Sequence, residues 1–256
     1  MYRVTIRFYE ELNDFLPQQD RKRDIEVSFS GARSIKDFIE SLGVPHVEVD
    51  LILVHGASVD FNYLVRDGDR ISVYPVFELL PIGGITRLRP GPLRRTRFVL
   101  DVHLRKLARR LRLLGFDTDY GENRDDPELA EISARENRIL LTRDRGLLKR
   151  KIVTRGLIIR NTDPEEQVIE VLQRLHLRDS IKPFTRCIAC NGEIAAVDMG
   201  SETFTSLRDS IPPGVLAWCR EYYVCTSCGK VYWKGRHYDR MCAMVEAFRK
   251  GETPPF

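Results

Sequence analysis

Two Cys-x-x-Cys pairs near the C-terminal end constrain this chain of 256 residues more than any other feature. The pairs are Cys187 with Cys190 and Cys225 with Cys228. Four thiolates at this spacing can surround one tetrahedral Zn²⁺ and leave no coordination position open, so the ion is expected to be structural. No secretory signal is recognisable in the sequence, which makes a disulfide framework the weaker interpretation. We therefore predict a small β zinc ribbon over residues 183–250.

Composition is that of a soluble protein with two or three small domains. Hydrophobic residues make up 43% and charged residues 30% of the chain, and no run approaches the roughly 20 apolar residues of a membrane span. We expect a cytoplasmic protein with no membrane partner. The two remaining cysteines, Cys219 and Cys242, are expected to be ordinary buried thiols, although either could substitute as a zinc ligand.

Positive charge is concentrated in the middle of the chain. Residues 87–182 contain 23 Lys and Arg against 15 Asp and Glu, whereas residues 1–86 contain 9 against 14 and residues 183–256 contain 9 against 8. A basic segment indicates a polyanion partner such as a nucleic acid. Arginines on a solvated helix face would give the same pattern, so charge alone does not decide between the two.

The first 80 residues have the pattern of a small α+β domain. Alternating apolar residues predict strands over 4–8 and 25–29, and the run that follows Ser34 predicts a short helix closed by Gly43. A further strand is predicted over 51–54, and residues 65–74 are predicted to be a tight turn that leads into a last strand. This order, with the segments "LILVHG" and "DGDRISVYPVF", resembles the β-grasp fold of the molybdopterin and thiamine sulfur carriers.

Those carriers end in a free Gly-Gly whose carboxylate is activated, whereas Gly83 and Gly84 are internal here. The resemblance therefore implies a ubiquitin-like module that docks a protein partner. A sulfur carrier released by cleavage after Gly84 is the weakest alternative. Residues 81–95 are rich in Pro, Gly and Arg and are predicted to be a linker.

Residues 96–182 alternate short buried strands with helices. Strands are predicted over 97–101, 117–120, 139–142 and 157–159, with an amphipathic helix after the first and another that begins near Asp126. This series predicts an α/β domain with a parallel sheet covered by helices.

Acidic residues follow the ends of these strands. Asp101 and Asp144 lie at or just past two strand ends, and Asp126 starts a helix. The carboxyl ends of parallel strands meet at one edge of a sheet, so these carboxylates are expected to converge. Converging carboxylates repel one another unless a cation neutralises them, and oxygen ligands favour Mg²⁺ or Mn²⁺. Such a site could activate water for phosphodiester hydrolysis, with Arg143 neutralising phosphate charge.

Each aspartate also has a purely structural interpretation. Asp126 and Asp101 could cap helices, and Asp144 could open a turn. Three neighbours could replace or supplement Asp126: Asp119, Asp125 and Glu128.

Basic and aromatic residues in two places are candidates for nucleic-acid contact, since aromatic rings stack on bases and cations follow phosphates. They are Arg105, Arg109 and Arg112 on the first helix of the middle domain, and Trp233, Lys234, Arg236 and His237 after the second cysteine pair. The alternative for Tyr232 and Trp233 is that they pack on the ribbon and supply its core.

Three blocks, "FVLDVHLRKLARRLRLLGFDTDY", "DDPELAEISARENRILLTRDRGLL" and "RCIAC…CTSCGKVYWKGRHYDRM", resemble the Mut-seven C-terminal RNase family over essentially the whole chain. The resemblance implies a PIN-like nuclease domain with an appended zinc ribbon. It assigns acidic residues to Asp101, Asp126 or its neighbours, and Asp144, and zinc ligands to the four paired cysteines. The chain departs from the family pattern at His103, where a small residue is expected.

The sequence therefore predicts a multidomain, metal-dependent ribonuclease with a β-grasp domain, a PIN-like α/β domain and a zinc ribbon. The competing hypothesis is a non-catalytic RNA-binding or adaptor protein in which the acidic residues are structural.

Overall fold

The computed structural model describes residues 1–75, 88 and 96–254. The predicted linker over 81–95, apart from Leu88, and the pair Gly83-Gly84 lie outside the described residues. By its internal contacts the chain divides into two units, residues 1–95 with 125–158 and residues 96–124 with 159–256. Each unit is described by itself below.

The N-terminal 75 residues form a mixed sheet with one helix. In chain order the elements are β1 (Tyr2–Phe8), β2 (Ile25–Phe29), α1 (Ile35–Ser41), β3 (Val49–Val54), β4 (Ala57–Ser58) and β5 (Arg70–Pro75). The strand order is β2-β1-β5-β3-β4, with β1 and β5 parallel and the neighbours β1–β2 and β3–β5 antiparallel. This is the order expected for a β-grasp fold.

The predicted alternation sets the core of this sheet. Val4, Ile6 and Phe8 are buried on one face of β1, while the residues between them are more exposed. Ser34 caps α1 by accepting a hydrogen bond from the backbone N–H of Asp37 at 3.1 Å. The cap and the period-2 pattern are the local signals that the sequence contained, and both are confirmed.

Parallel strands and helices alternate through the middle of the chain. The elements are β6 (Arg97–Leu100), α2 (Arg105–Leu113), β7 (Asp117–Tyr120), α3 (Asp126–Glu136), β8 (Ile139–Thr142), α4 (Arg145–Leu148), β9 (Gly156–Ile158) and α5 (Pro164–Arg174). The pairs β6–β7 and β8–β9 are parallel, and the sheet order is β7-β6-β8-β9. The predicted parallel α/β sheet is confirmed.

Short 3-10 helices connect several elements. They are Glu10–Phe15, Gln18–Asp20, His46–Glu48, Val102–Leu104, Arg178–Ser180 and Arg208–Ser210.

In the unit formed by residues 1–95 and 125–158, the N-terminal sheet is bonded to β9 and α4. Glu48 accepts a hydrogen bond from the N–H of Ile158 at 2.7 Å, and the Lys149 ammonium donates to the carbonyl of Glu40 at 3.0 Å. The side chain of Glu48 is 2% exposed. These contacts make the N-terminal domain part of the same packed unit as β8, α4 and β9.

In the unit formed by residues 96–124 and 159–256, α2 packs its leucine stripe inward. Leu104, Leu107 and Leu111 are fully buried, as the amphipathic pattern of the sequence predicted. Gly115 ends this helix at a φ of 91°, and a β-carbon there would lie 1.9 Å from the carbonyl oxygen of Lys182. The chain at 182 can therefore approach α2 only because residue 115 is glycine.

The C-terminal part is a small antiparallel sheet followed by a long helix. Its elements are β10 (Ile194–Val197), α6 (Glu202–Leu207), α7 (Pro213–Leu216), β11 (Tyr222–Cys225), β12 (Val231–Trp233) and α8 (Arg236–Lys250). The sheet order is β10-β11-β12. The segment between β10 and β11 contributes Phe204, Ile211 and Cys219 to a small core that also contains Tyr222 of β11. Cys219 is thus a buried thiol, as predicted, and Cys242 on α8 is partly buried.

Within the described ranges, no helix combines the length and the apolar character that crossing a bilayer requires.

Candidate functional site

The four cysteines of the two Cys-x-x-Cys pairs come together at one point. Their sulfur atoms all lie within 4.8 Å of one another, with 3.7 Å between the Sγ atoms of Cys187 and Cys228 and 3.4 Å between those of Cys190 and Cys225. A tetrahedral ion with Zn–S bonds of ~2.3 Å needs S–S separations of about 3.8 Å. The cluster therefore fits a metal ion such as zinc, and four thiolates leave no open position for substrate.

The two pairs have the same backbone geometry. The residue after each second cysteine has a φ of 71°: Asn191 in the first pair and Gly229 in the second. The N–H of each of these residues donates to the carbonyl of the first cysteine of its own pair, at 2.9 Å for Cys187 and 3.0 Å for Cys225. This repeated turn directs both sulfurs of each pair toward the same point, as a pair of zinc knuckles requires.

The Cys187 sulfur lies in a setting that stabilises a thiolate. Desolvation alone raises the pKa of Cys187, but hydrogen bonds from the Tyr232 hydroxyl and from the backbone N–H groups of Cys190 and Ala189 outweigh it and bring the pKa to about 6. The Tyr232 hydroxyl lies 3.0 Å from this sulfur, and burial raises its own pKa, so it stays a donor. Tyr232 thus contributes to the cluster, in line with the packing alternative for this residue.

Arg112 lies inside the protein and not on the predicted RNA-binding surface. It is 4% exposed, and burial lowers its pKa. Its guanidinium donates to the carbonyls of Thr118 at 2.9 Å, Ala189 at 2.8 Å and Ile188 at 3.4 Å. The assignment of Arg112 to nucleic-acid contact is therefore corrected: it joins β7 to the first knuckle. The helical pattern of the sequence could not reveal that Arg112 is buried, because the residues that cover it begin 76 positions later in the chain.

Asn191 makes a second connection between the knuckle and β7. Its side-chain oxygen accepts from the N–H of Thr118 at 2.8 Å, and its amide nitrogen donates to Asp117 at 2.8 Å. β7 is an edge strand in the sheet order, so Asn191 covers an N–H group that the edge leaves unpaired. Sequence reasoning missed this role.

Asp101 and Asp144 each follow a strand and cap the next helical turn. Asp101, 7% exposed, follows β6 and accepts from the N–H of His103 at 3.2 Å through Oδ1. Asp144 follows β8, is exposed, and accepts from the N–H of Gly146 at 2.6 Å through Oδ1. Both residues therefore have the structural role that the sequence allowed, because each caps a helical turn. A carboxylate has two oxygens and about four lone-pair sites, so a capping bond does not by itself prevent it from binding a metal ion.

At the start of α3, the helix cap is one residue earlier than the sequence predicted. Asp125, and not Asp126, is the N-cap, and it accepts from the N–H of Glu128 at 2.9 Å. Asp126 is the first helical residue and is partly buried. Asp119 is held by both terminal nitrogens of Arg124, at 2.7 and 3.1 Å. Asp126 therefore does not cap α3, which was the structural alternative to a role as a metal ligand.

A metal site formed by protein side chains alone needs three or more His, Cys, Asp or Glu side chains that lie close together. Among the residues that the structure describes, the four cysteines are the one group that meets this condition. Asp101, Asp126 and Asp144 do not belong to it. Their convergence on a divalent ion remains a prediction.

The other predicted basic residues lie at the surface. Arg143, Arg109 and His103 are exposed, and Arg105 is ion-paired with Glu122 at 3.1 Å. His103 is therefore accessible to solvent.

The aromatic and basic segment after the second knuckle forms the rim and floor of two cavities. Trp233 is partly buried against the core formed by the segment between β10 and β11, and Lys234 is paired with Glu221. Arg236 and His237 are exposed in the first turn of α8. Tyr238 and Arg240 also line these cavities and were not predicted, although the run "RHYDRM" that contains them was visible in the sequence.

Comparison with known proteins identifies relatives of both halves of the chain. A model of the Mut7-C RNAse domain matches residues 96–245, and a model of the Mut7-C ubiquitin domain matches residues 1–80. A human protein described as "Exonuclease mut-7 homolog" is 26% identical over an alignment 223 residues long, and the match covers 59% of this chain and 26% of that protein. The chain thus spans about a quarter of the length of this relative. No solved structure matches.

Proposed function

The chain belongs to the Mut7-C RNase domain family, and from this membership we propose that it is a ribonuclease that hydrolyses RNA phosphodiester bonds with the help of a divalent metal ion. The family match over residues 96–245 is the observation that carries the proposal. In this proposal the middle domain is PIN-like, and Asp101, Asp126 and Asp144 hold Mg²⁺ or Mn²⁺.

The placement of the acids supports this assignment. Asp101 follows β6 and Asp144 follows β8, and ligands of parallel sheets gather beyond the carboxyl ends of the strands. Each accepts a capping hydrogen bond from the backbone, which holds its carboxylate at the end of the strand. Asp126 is relieved of capping by Asp125.

The metal site does not need three carboxylates already in contact. Mg²⁺ keeps several waters and is commonly bound through one or two carboxylates together with the phosphates of the substrate. When bound, the ion would supply charge neutralisation and a water of lowered pKa. The carboxylates hold and orient it, and the exposed Arg143 neutralises phosphate charge beside Asp144.

The remaining parts are assigned supporting roles. The cysteine cluster holds structural Zn²⁺, because four thiolates close the coordination sphere. The ubiquitin-like domain matched over residues 1–80 offers a surface for a protein partner. RNA is the substrate, and the cytoplasm is the proposed location.

The decisive experiment compares cleavage of labelled RNA in Mn²⁺ by the native protein and by Asp144→Asn. Asparagine caps helices as well as aspartate does, so this change removes the charge and keeps the cap. We expect cleavage to fall at least 100-fold, since a metal ligand is lost. The matched control is Asp163→Asn, because Asp163 caps α5 in the same way, through Glu165 and Glu166, and belongs to no predicted site.

The competing function is a non-catalytic RNA-binding or adaptor protein. The basic and aromatic cavities beside α8 and the separate capping roles of Asp101 and Asp144 favour it. Equal cleavage by the native protein and Asp144→Asn, with no Mn²⁺ binding that depends on a carboxylate, would establish this function and remove the hydrolase proposal.

A further inference from the structure

Two adjoining cavities lie beside β12 and the start of α8, both within the unit of residues 96–124 and 159–256. Their volumes are about 340 and 490 Å³. They share five lining residues: Ile188, Tyr232, Trp233, Tyr238 and Met241. The two cavities therefore form one groove divided by aromatic side chains, which we call the α8 groove.

The aromatic rings of the α8 groove are fixed in place. Tyr232 is held by its hydrogen bond to the Cys187 sulfur, and Trp233 packs on the core formed by the segment between β10 and β11. The Tyr238 ring lies 4.7 Å from that of Phe184, measured between centroids. Rings held in this way lose little conformational freedom when a ligand binds, so they are prepared stacking surfaces.

A second indole extends this surface. Trp218 is 55% exposed, which is unusual for so large an apolar side chain. Its ring lies near Gly235, as does that of Trp233: a β-carbon at 235 would be 3.4 Å from Nε1 of Trp233 and 3.7 Å from Cη2 of Trp218. Both tryptophans of the chain thus lie at this one place.

The side chains that line the α8 groove are cationic or neutral. Arg109, Arg236, His237 and Arg240 line the larger cavity, and no carboxylate residue lines either one. Among the described residues, Arg109, Arg236 and Arg240 have no carboxylate partner. Unpaired cations at the rim of an aromatic groove attract an anion that also has flat apolar surfaces.

We propose that the α8 groove binds unpaired RNA nucleotides, with bases stacked on Trp233 and Tyr238 and phosphates paired with Arg236 and Arg240. Aromatic platforms with a cationic track are the usual means by which single strands are held without sequence preference. A duplex hides the faces of its bases and is too wide for cavities of this size. This inference rests on the proposed ribonuclease function and specifies its substrate class as single-stranded RNA.

The test measures binding and not cleavage, so that its result is independent of the catalytic proposal. The full-length Asp144→Asn protein is titrated into a fluorescein-labelled oligouridylate of 12 nucleotides, and into an RNA duplex of the same length, without added divalent ions. We expect the single strand to bind at least tenfold more tightly than the duplex. Equal or tighter duplex binding would overturn the proposal.

Two arginines supply the electrostatic arm of the test. Arg236→Gln/Arg240→Gln should bind the single strand at least tenfold more weakly, and the slope of log affinity against log salt should fall by about 1.4, since two phosphate contacts are lost at about 0.7 each. Both side chains are exposed, so the fold is retained. Arg249→Gln is the matched control, because Arg249 lies on the same helix outside the groove and is paired with Glu246. If Arg249→Gln lost as much affinity for the single strand as the double variant, the proposal would be contradicted.

Stacking is tested with the ligand and with the protein. An abasic oligomer with the same phosphates should bind about tenfold more weakly and should not quench the tryptophan fluorescence that oligouridylate quenches. Tyr238→Ala should reduce the difference in affinity between the two ligands, because one of the two stacking rings is lost. If poly-glutamate competes as well as oligouridylate, the groove binds an acidic protein segment and the RNA assignment is wrong.

Discussion

Glu48 and Ile158 are joined by a buried hydrogen bond between a carboxylate and a backbone N–H, with 2.7 Å between Oε1 and N. Glu48 belongs to the ubiquitin-like domain, and Ile158 is the last residue of β9 in the RNase domain. Nearby, a ring nitrogen of His46 lies 3.0 Å from the carbonyl of Val153. The ubiquitin-like domain is therefore bonded directly to the segment that contains α4 and Asp144.

Glu48→Ala should destabilise the protein by about 2 kcal/mol, because it leaves a buried N–H without its acceptor. Urea unfolding followed by circular dichroism measures this as a lower midpoint. The control is Glu26→Ala, since Glu26 lies exposed on β2 and its loss should stay within about 0.5 kcal/mol. Equal midpoints for both variants would show that the Glu48 bond is not stabilising.

Arg112→Gln should cost about 3 kcal/mol, since three carbonyls lose a charged donor. RNA affinity per folded molecule should be unchanged, because the guanidinium is enclosed. Arg109→Gln should have the opposite profile, with native stability and weaker RNA binding. Thermal melting and fluorescence anisotropy on the same samples distinguish the two. Weaker RNA binding by folded Arg112→Gln would restore the original surface assignment.

Gly229→Ala should cost about 1 kcal/mol through backbone strain alone. The φ at this position is 71°, and a β-carbon there meets no atom within 4 Å, so sterics outside the backbone play no part. Gly229→Asn should cost less, because Asn191 adopts the same φ in the other knuckle. Melting temperatures of the zinc-loaded protein test the order; a smaller loss for alanine than for asparagine would contradict it.

Gly115→Ala should destabilise the protein by more than about 3 kcal/mol. Its β-carbon would lie 1.9 Å from the Lys182 carbonyl and 2.7 Å from the Thr185 hydroxyl, so the chain at 182–185 must move. Gly214→Ala, in α7 and with open space around it, should be neutral or slightly stabilising. Urea midpoints compare the two, and near-native stability of Gly115→Ala would disprove the close packing at residue 182.

Cys225→Ser should abolish stoichiometric zinc binding and lower the melting temperature, because one of four thiolate ligands is lost. Cys242→Ser is the control and should keep one zinc ion per chain, measured by atomic emission on dialysed protein. Loss of zinc in Cys242→Ser would revive the possibility that this thiol replaces a knuckle cysteine.

Local patterns predicted much of the fold. The alternation in β1, the Ser34 cap and the leucine stripe of α2 are all as expected, because period and capping depend on near neighbours in sequence. The knuckle cysteines were found for the same reason, since their spacing is a local signal. The four-residue α4 was missed, because one turn is too short to show a helical period.

Errors at the site came from contacts between distant parts of the chain. Arg112 has the spacing of a solvent-facing arginine, but residues 188 and 189 cover it. Two adjacent aspartates shifted the cap of α3 by one position, from Asp126 to Asp125. Side-chain roles of this kind depend on tertiary packing, which periodicity does not report.

Arg112 and Asn191 also set a limit on how this protein can be divided. A chain shortened before residue 183 would keep every strand of the parallel sheet, yet it would leave a buried cation without its two knuckle acceptors and an edge amide without its cover. The segment that contains the two cysteine pairs is therefore needed for the stability of β7, and removing a metal ion bound by the four cysteines should loosen β7 as well as the two knuckles.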